Sequence, residues 1–126
     1  MSKKVISVDN CPKAVGPYSQ AVEVGNFIFV SGNLPIDPKT EQIVGTNAKD
    51  QTKQVMENIK TLLAAKKLSM DKIVKTTIFL QNMDDFSVVN EVYASYFTKD
   101  YPARSTVEVA RLPKSALVEI ECIVTY

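Results

Sequence analysis

The segment NFIFVS (Asn26–Ser31) constrains the fold of this chain more than any other. Its four consecutive large apolar residues, bracketed by Gly25 and Gly32, are typical of a strand that is buried on both faces. Side chains of a strand alternate between the two sides of its sheet, so this strand directs apolar groups to each side. The sequence therefore predicts that something covers both faces of the sheet that contains this strand.

Two segments have the apolar spacing of amphipathic helices. The first begins at Asn47, which can cap it with Asp50 at the third helical position, and it continues to Lys67. The second has Asp84 as its expected cap and Lys99 near its end, where the helix dipole favours a cation. The apolar stripes, which we assign to the core, comprise Val55, Met56, Ile59, Leu62 and Leu63 in the first helix, and Phe86, Val89, Tyr93, Tyr96 and Phe97 in the second.

Other segments predict strands or loops. Leu34–Val44 holds two prolines and a polar centre, which indicates a loop or loose hairpin. Ile73–Gln81 is β-branched and apolar enough for an inner strand, and alternation predicts two final strands, Arg104–Ala110 and Val118–Val124. The resulting order is that of one α+β domain over residues 1–126, with a sheet of about six strands and both helices on one face.

Two helices cover only one face of such a sheet. A symmetric oligomer would bury the second face, and clefts between its subunits would then be natural ligand sites.

The composition excludes several kinds of chemistry. The chain has no histidine, which rules out Ser/His/Asp triads, histidine general bases and zinc sites built on imidazole. Fifteen basic and fourteen acidic side chains give a net charge of +1, so no global field attracts nucleic acid or an anionic membrane. Cys11 and Cys122 lie far apart without CxxC spacing, which predicts reduced thiols in a cytoplasmic protein. No segment has the apolar length of a membrane span, and the four glycines form no phosphate-binding motif.

Four segments together resemble the RidA family, also called the YjgF/UK114 family of reactive-intermediate deaminases. They are GPYSQA (16–21), VSGNLPIDPKT (30–40), IVKTTIFLQNMDDFSVVNEVY (73–93) and YPARSTVEVARLPKSALVEIE (101–121). The resemblance covers nearly the whole chain, and the block PARSTVEVARLP is its most specific part. It implies a chorismate-mutase-like homotrimer with a mostly antiparallel six-stranded sheet and sites between subunits. It also implies hydrolysis of 2-imino acids, such as 2-iminobutanoate and 2-iminopropanoate, to 2-oxo acids and ammonia, without a metal or organic cofactor.

Hydrolysis of an imine needs an anchor for the carboxylate, a group that activates water and a pocket that fixes the geometry. Arg104 fits the anchor because a guanidinium holds a carboxylate through two parallel N–H bonds, and the resemblance places it in the site. The resemblance also assigns Glu119 the role of binding or polarising water, and a nearby Arg104 would keep Glu119 ionised. Glu121 projects from the same strand face, where we expect it to be solvated or ion-paired.

Five further residues are candidates for contact with the substrate. Tyr18 would offer a phenolic hydrogen bond to the substrate, or would simply pack. Ser31 and Gly32 end the NFIFVS strand, where small side chains let backbone groups approach a ligand, or form a plain turn. The resemblance suggests that Asn90 lines the pocket. Thr106 stands where many relatives have cysteine, and its backbone N–H remains available to substrate.

Two other functions are compatible with these residues. The first is a regulatory module that binds small carboxylates at Arg104 without turnover. The second, placed last because the lysines are dispersed, is RNA cleavage or inhibition of translation.

Overall fold

The computed structural model describes residues 2–126, which form eight strands and two α-helices. The strands are β1 (Lys4–Ile6), β2 (Ala21–Val24), β3 (Phe27–Asn33), β4 (Ile36–Asp37), β5 (Gln42–Ile43), β6 (Ile73–Leu80), β7 (Ala103–Glu108) and β8 (Val118–Thr125). The helices are α1 (Ala48–Ala65) and α2 (Phe86–Ala94).

Six strands form one sheet in the order β1-β2-β3-β8-β6-β7, while β4 and β5 form a separate hairpin. Neighbours in the large sheet are antiparallel except β6 and β7, which run parallel. A parallel pair needs a crossover between its strands, and α2 lies in the one that joins β6 to β7. The six-stranded, mostly antiparallel sheet and the loose hairpin within Leu34–Val44 are confirmed.

Both helices lie on one face of this sheet. The side chain of Asn47 caps α1 by accepting a hydrogen bond from the backbone N–H of Asp50 at 2.8 Å. Every residue of the predicted α1 stripe is at most 2% exposed. Val118, Ile120, Cys122 and Val124, which alternate along β8, are buried beneath the helices. The predicted α+β arrangement is therefore confirmed.

The start of α2 differs from the prediction. Asp84 is not the cap: its own backbone N–H donates to the Oδ1 atom of Asn82 at 2.9 Å, which caps a 3₁₀ turn over Met83–Asp85. The helix follows directly from this turn, so no side chain is needed to cap it.

The predicted end of α2 is also wrong. The helix stops at Ala94 because the N–H groups of Tyr96 and Phe97 donate to carbonyls three residues back, which tightens the last turn. Lys99 therefore lies outside the helix. Phe97 still belongs to the core, where its ring centroid lies 5.0 Å from that of Tyr93.

The other face of the sheet is uncovered in this chain. Ile28 and Val30 are buried beneath the helices, whereas Phe27 and Phe29 are 45% and 46% exposed. The expectation that the NFIFVS strand is buried on both faces therefore fails for a single chain, because no element of residues 2–126 covers the second face. The strand register aligns an apolar row across four strands of that face, consisting of Val5, Val22, Phe29 and Ile123.

The two cysteines are buried and form no disulfide. Burial raises the pKa of the Cys11 thiol to about 11 and that of Cys122 to about 12, so both stay protonated near neutral pH. Neither helix within the described residues is long and apolar enough to cross a membrane.

Candidate functional site

Arg104 lies on β7 and points towards the helices. It pairs with Thr76 in the parallel ladder, and its Nη1 atom donates a 2.7 Å hydrogen bond to Oδ1 of Asn90 on α2. No carboxylate within residues 2–126 lies within 4.0 Å of its guanidinium. The predicted neighbours Arg104 and Asn90 are thus brought together, and most N–H donors of the arginine stay available.

Two aromatic rings of α2 contact the same guanidinium. Its central carbon is 5.2 Å from the ring centroid of Tyr93 and 5.6 Å from that of Phe86. The hydroxyl of Tyr93 is in turn 2.8 Å from the hydroxyl of Thr76. The sequence assigned these rings to the core alone, and only the register of the parallel pair reveals that Arg104 lies over them.

Thr106 lies two residues after Arg104 and on the same side of β7. Its hydroxyl is buried and has no hydrogen-bond partner among the described residues. Arg104, Asn90 and Thr106 are called the arginine group below.

Glu119 lies on β8 and points to the uncovered face. A Cβ atom added to Gly32 would overlap the Oε2 atom of Glu119, so the carboxylate occupies the space that a side chain at position 32 would fill. Burial, and then the nearby carboxylate of Glu121, raise the pKa of Glu119 above its ordinary value. Glycine at position 32 is therefore required for the position of this carboxylate.

Ser31 and Gly32 lie where the pairing of β3 with β8 is interrupted between Val30 and Asn33. The hydroxyl of Ser31 donates to the carbonyl of Ser19 at 2.5 Å, and its N–H donates to the carbonyl of Gln20 at 3.0 Å. These bonds hold the segment that follows Tyr18 beside the bulge.

Tyr18 itself is 51% exposed, and its hydroxyl only accepts a long 3.4 Å bond from the N–H of Val15. The exposed ring of Tyr18 is free to contact a ligand. Glu119, Gly32, Ser31 and Tyr18 are called the glutamate group below.

The two groups lie on opposite faces of the sheet. Arg104 pairs with Thr76, which faces the helices, whereas Glu119 pairs with Phe79, which faces away from them. The expectation that Arg104 keeps Glu119 ionised is therefore wrong within one chain, because the sheet separates them and the pKa of Glu119 rises. A single chain holds both halves of the predicted site, but not in one place.

Two concavities lie elsewhere on the surface. One of about 300 Å³ lies on the uncovered face, beside Phe29, Lys75, Thr77 and Glu121. The other, of about 520 Å³, lies between α1 and α2 near Lys53, Glu91 and Tyr96. None of the seven predicted site residues lines either one. No cluster of three or more potential metal ligands occurs within the part of the chain that the structure describes.

Comparison with known proteins gives matches along nearly the whole chain. The family model described as Endoribonuclease L-PSP matches residues 8–126. A RutC family protein of Pyrococcus horikoshii is 54% identical over 121 residues, which are 96% of each chain. The chloroplastic Reactive Intermediate Deaminase A of Arabidopsis thaliana is 46% identical over 125 residues, covering 99% of this chain and 67% of that protein.

Solved structures show the same fold. The crystal structure of TdcF from E. coli with bound serine superimposes with a TM-score of 0.92 at 40% identity and covers 98% of both chains.

Proposed function

Because the chain belongs to the RidA family, we propose that it is a hydrolase of C–N bonds that converts reactive 2-imino acids and their enamine tautomers to 2-oxo acids and ammonia. The observation that carries this proposal is the Arg104 guanidinium, which is held by its neighbours yet has no carboxylate partner within residues 2–126. A half-buried arginine with free donors is suited to bind the carboxylate of a small acid.

Imine hydrolysis can be carried out by an arginine that binds the substrate carboxylate and a glutamate that transfers protons. Arg104 binds the substrate carboxylate, with the backbone N–H of Thr106 beside it and Asn90 orienting the guanidinium. The imine reacts in its N-protonated form: water adds to the imine carbon while the Glu119 carboxylate takes a proton from it, which gives a neutral carbinolamine. Glu119 returns that proton to the nitrogen, and as the C–N bond breaks the hydroxyl proton passes to the Glu119 carboxylate, so that ammonia and the 2-oxo acid are released.

In the single chain, burial and the nearby Glu121 raise the pKa of Glu119. In the assembled site the Arg104 guanidinium of another copy would lie near this carboxylate, oppose the rise in its pKa and keep it ionised and able to accept a proton. Tyr18 would donate a hydrogen bond to the reacting group, and the small residues Ser31 and Gly32 at the bulge would let backbone groups of the protein approach the substrate.

The separation of the two groups supports an assembly. The arginine group and the glutamate group lie on opposite faces of one sheet, so a complete site needs the arginine group of one copy and the glutamate group of another. The apolar row on the uncovered face gives a second copy a surface to bury. The number of copies, three, comes from the family resemblance.

The direct test generates 2-iminobutanoate in situ with an amino-acid dehydratase or oxidase and follows 2-oxobutanoate formation with and without this protein. We expect a rate well above spontaneous hydrolysis. Arg104→Ala should abolish it, because losing a charge-assisted anchor costs about 2–5 kcal/mol of transition-state binding. Arg104→Lys should also be poor. Arg111→Ala, which removes the chain's other arginine, is the matched control and should keep full turnover.

Subunit complementation tests the shared site. Tyr18→Ala and Arg104→Ala chains, each inactive alone, are mixed during refolding so that some sites combine a native Tyr18 with a native Arg104. Activity should partly return. A mixed assembly that stays inactive would mean that both residues of a site come from one chain.

A second candidate function is supported by the serine-bound TdcF structure, whose ligand is a small amino acid. This chain would then bind small carboxylates without turning them over. Serine or 2-oxobutanoate binding by calorimetry, together with an imine hydrolysis rate no faster than the spontaneous one, would establish this alternative.

The same preparation incubated with labelled RNA tests the nuclease activity in the family model's description, for which we expect no cleavage.

A further inference from the structure

The guanidinium of Arg104 is held chiefly by groups that consume little of its hydrogen-bonding capacity. Among residues 2–126 only Asn90 accepts a hydrogen bond from it, while the rings of Tyr93 and Phe86 contact it at 5.2 Å and 5.6 Å. A carboxylate neighbour would restrain the arginine but would also occupy its donors and cancel its charge. Aromatic rings restrain the same cation through their quadrupole and leave its N–H groups available.

The rings of Phe86 and Tyr93 lie on the same side of α2 as each other. Phe86 and Tyr93 are seven residues apart on α2, about two turns, so they lie on the same side of the helix. Tyr93 is 4% exposed and packs against Phe97, while Phe86 is half-buried. The helix that carries Asn90 thus also carries both rings.

The ring of Tyr93, the more deeply buried of the two, is bonded to the sheet through its hydroxyl. Thr76 is 1% exposed, and its hydroxyl is 2.8 Å from that of Tyr93. Because Thr76 is also the ladder partner of Arg104, one register position of the parallel pair holds both the arginine and the residue that orients its ring. Burial raises the pKa of Tyr93, so the phenol stays neutral and keeps this bond.

We propose that Phe86 and Tyr93 are positioning residues for Arg104, and that Thr76 orients Tyr93. The rings fix the guanidinium so that its free N–H groups point at the carboxylate of the ligand. This inference rests on the proposed function for the identity of that ligand. Removing a ring lets Arg104 move, which weakens carboxylate binding but leaves the reacting atoms and the proton acceptor untouched.

The test uses both kinetics and NMR. Phe86→Leu and Tyr93→Leu should each raise KM for the imine roughly tenfold with kcat within about twofold. Tyr93→Phe keeps the ring but loses the hydroxyl bond to Thr76, so it should recover only part of the lost affinity. The chain has only two arginines, so ¹⁵N relaxation of the Nε–H groups gives two signals, with exposed Arg111 as the internal reference.

The matched control is Tyr96→Leu. Tyr96 is also aromatic and follows α2, but its hydroxyl donates to the Glu57 carboxylate on α1 and its ring does not stack on the Arg104 guanidinium. Its loss should lower thermal stability without changing KM or the Arg104 signal.

Four outcomes decide the proposal. An Arg104 signal that is ordered in the native protein and mobile in both leucine variants, with the KM rise, supports it. A native Arg104 signal as mobile as that of Arg111 overturns it, and so does an unchanged KM in both variants. If the native protein neither binds nor hydrolyses the ligand while ring loss still mobilises Arg104, the proposed function fails but the positioning role stands.

Discussion

The two faces of the central sheet have different compositions. The face beneath α1 and α2 is lined by side chains such as Ile28, Val118 and Ile120, each essentially fully buried. The opposite face mixes half-exposed phenylalanines with Lys75, Glu119 and Glu121. The covered face stabilises the individual chain, whereas the uncovered face has the mixture of apolar and charged groups that is typical of a surface for association. The core that stabilises the single chain therefore lies on one face of the sheet, and the surface suited to association with another copy lies on the other.

The largest effect should come from making the uncovered face polar. Phe29→Asp places a charge in the middle of the apolar row, so we expect the chain to remain a monomer of 14.0 kDa and to lose imine hydrolysis. Light scattering and the imine assay measure the two results. Val15→Asp, at a more exposed loop position, is the control and should keep both properties. An active Phe29→Asp monomer would refute the shared site.

Glu119→Gln tests the chemical contribution of the uncovered face. The amide keeps the shape of the side chain but cannot accept the proton, so kcat should fall by roughly 10²- to 10⁴-fold while ligand affinity is retained. Stopped-flow turnover and calorimetric binding separate the two quantities. Normal turnover in this variant would transfer the role of base to another group or to unassisted water.

The same substitution has a defined effect on stability. Folding raises the pKa of Glu119 above its ordinary value of 4.5. The contribution of this carboxyl to stability is therefore fully present at pH values below 4.5, and it is lost as the pH rises through the raised pKa. In the monomeric Phe29→Asp background, Glu119→Gln should therefore raise Tm at pH 7. This advantage should shrink as the pH falls towards 4.5. Thermal melts across that range give the measurement, and an advantage that grows at low pH would contradict it.

Gly32→Ala tests whether the position of the Glu119 carboxylate matters. The added Cβ would displace the end of a flexible side chain, so Tm should change little, while kcat falls on the order of 10²-fold through misplacement of the carboxylate. In a Glu119→Gln background the added methyl should have almost no further effect on kcat, because the group it displaces is already inactive. Additive losses would show that Gly32 acts independently of Glu119.

The smallest effect is expected on the covered side, from two threonines of neighbouring strands. Thr106→Val removes a buried hydroxyl without a partner and should stabilise the chain by about 1 kcal/mol with turnover unchanged, and Thr106→Ala should be mild. Thr76→Val removes a hydroxyl bonded to Tyr93 and should destabilise by about 1–3 kcal/mol. Chemical denaturation compares the two, and equal effects would mean that Thr106 has a bond not seen here.

Local patterns were enough to predict most of the fold. The stripe of α1, its Asn47 cap and the alternation in β8 are all set by residues close in sequence, and each is confirmed. The end of α2 could not be predicted, because Tyr96 and Phe97 continue the apolar spacing although their backbone bonds already belong to a tighter turn.

The sequence could name candidate site residues but could not predict how they are arranged. Arg104 and Glu119 lie on strands whose alternation is clear from sequence, yet the face to which each set points depends on the register with β6. The contacts of Arg104 with Phe86 and Tyr93 also depend on that register. That residues 1–126 form one domain, and the roles of the seven site residues, stay predictions.

The absence of a side chain at Gly32 has a consequence for how a reactive carboxylate can be held. Most buried carboxylates are fixed by donors, each of which draws on the lone pairs and lowers basicity. The Glu119 carboxylate instead lies against Gly32, in space that a side chain at position 32 would fill, and its pKa is raised rather than lowered. A residue without a side chain thus makes room for a carboxylate without adding a donor that would lower its basicity.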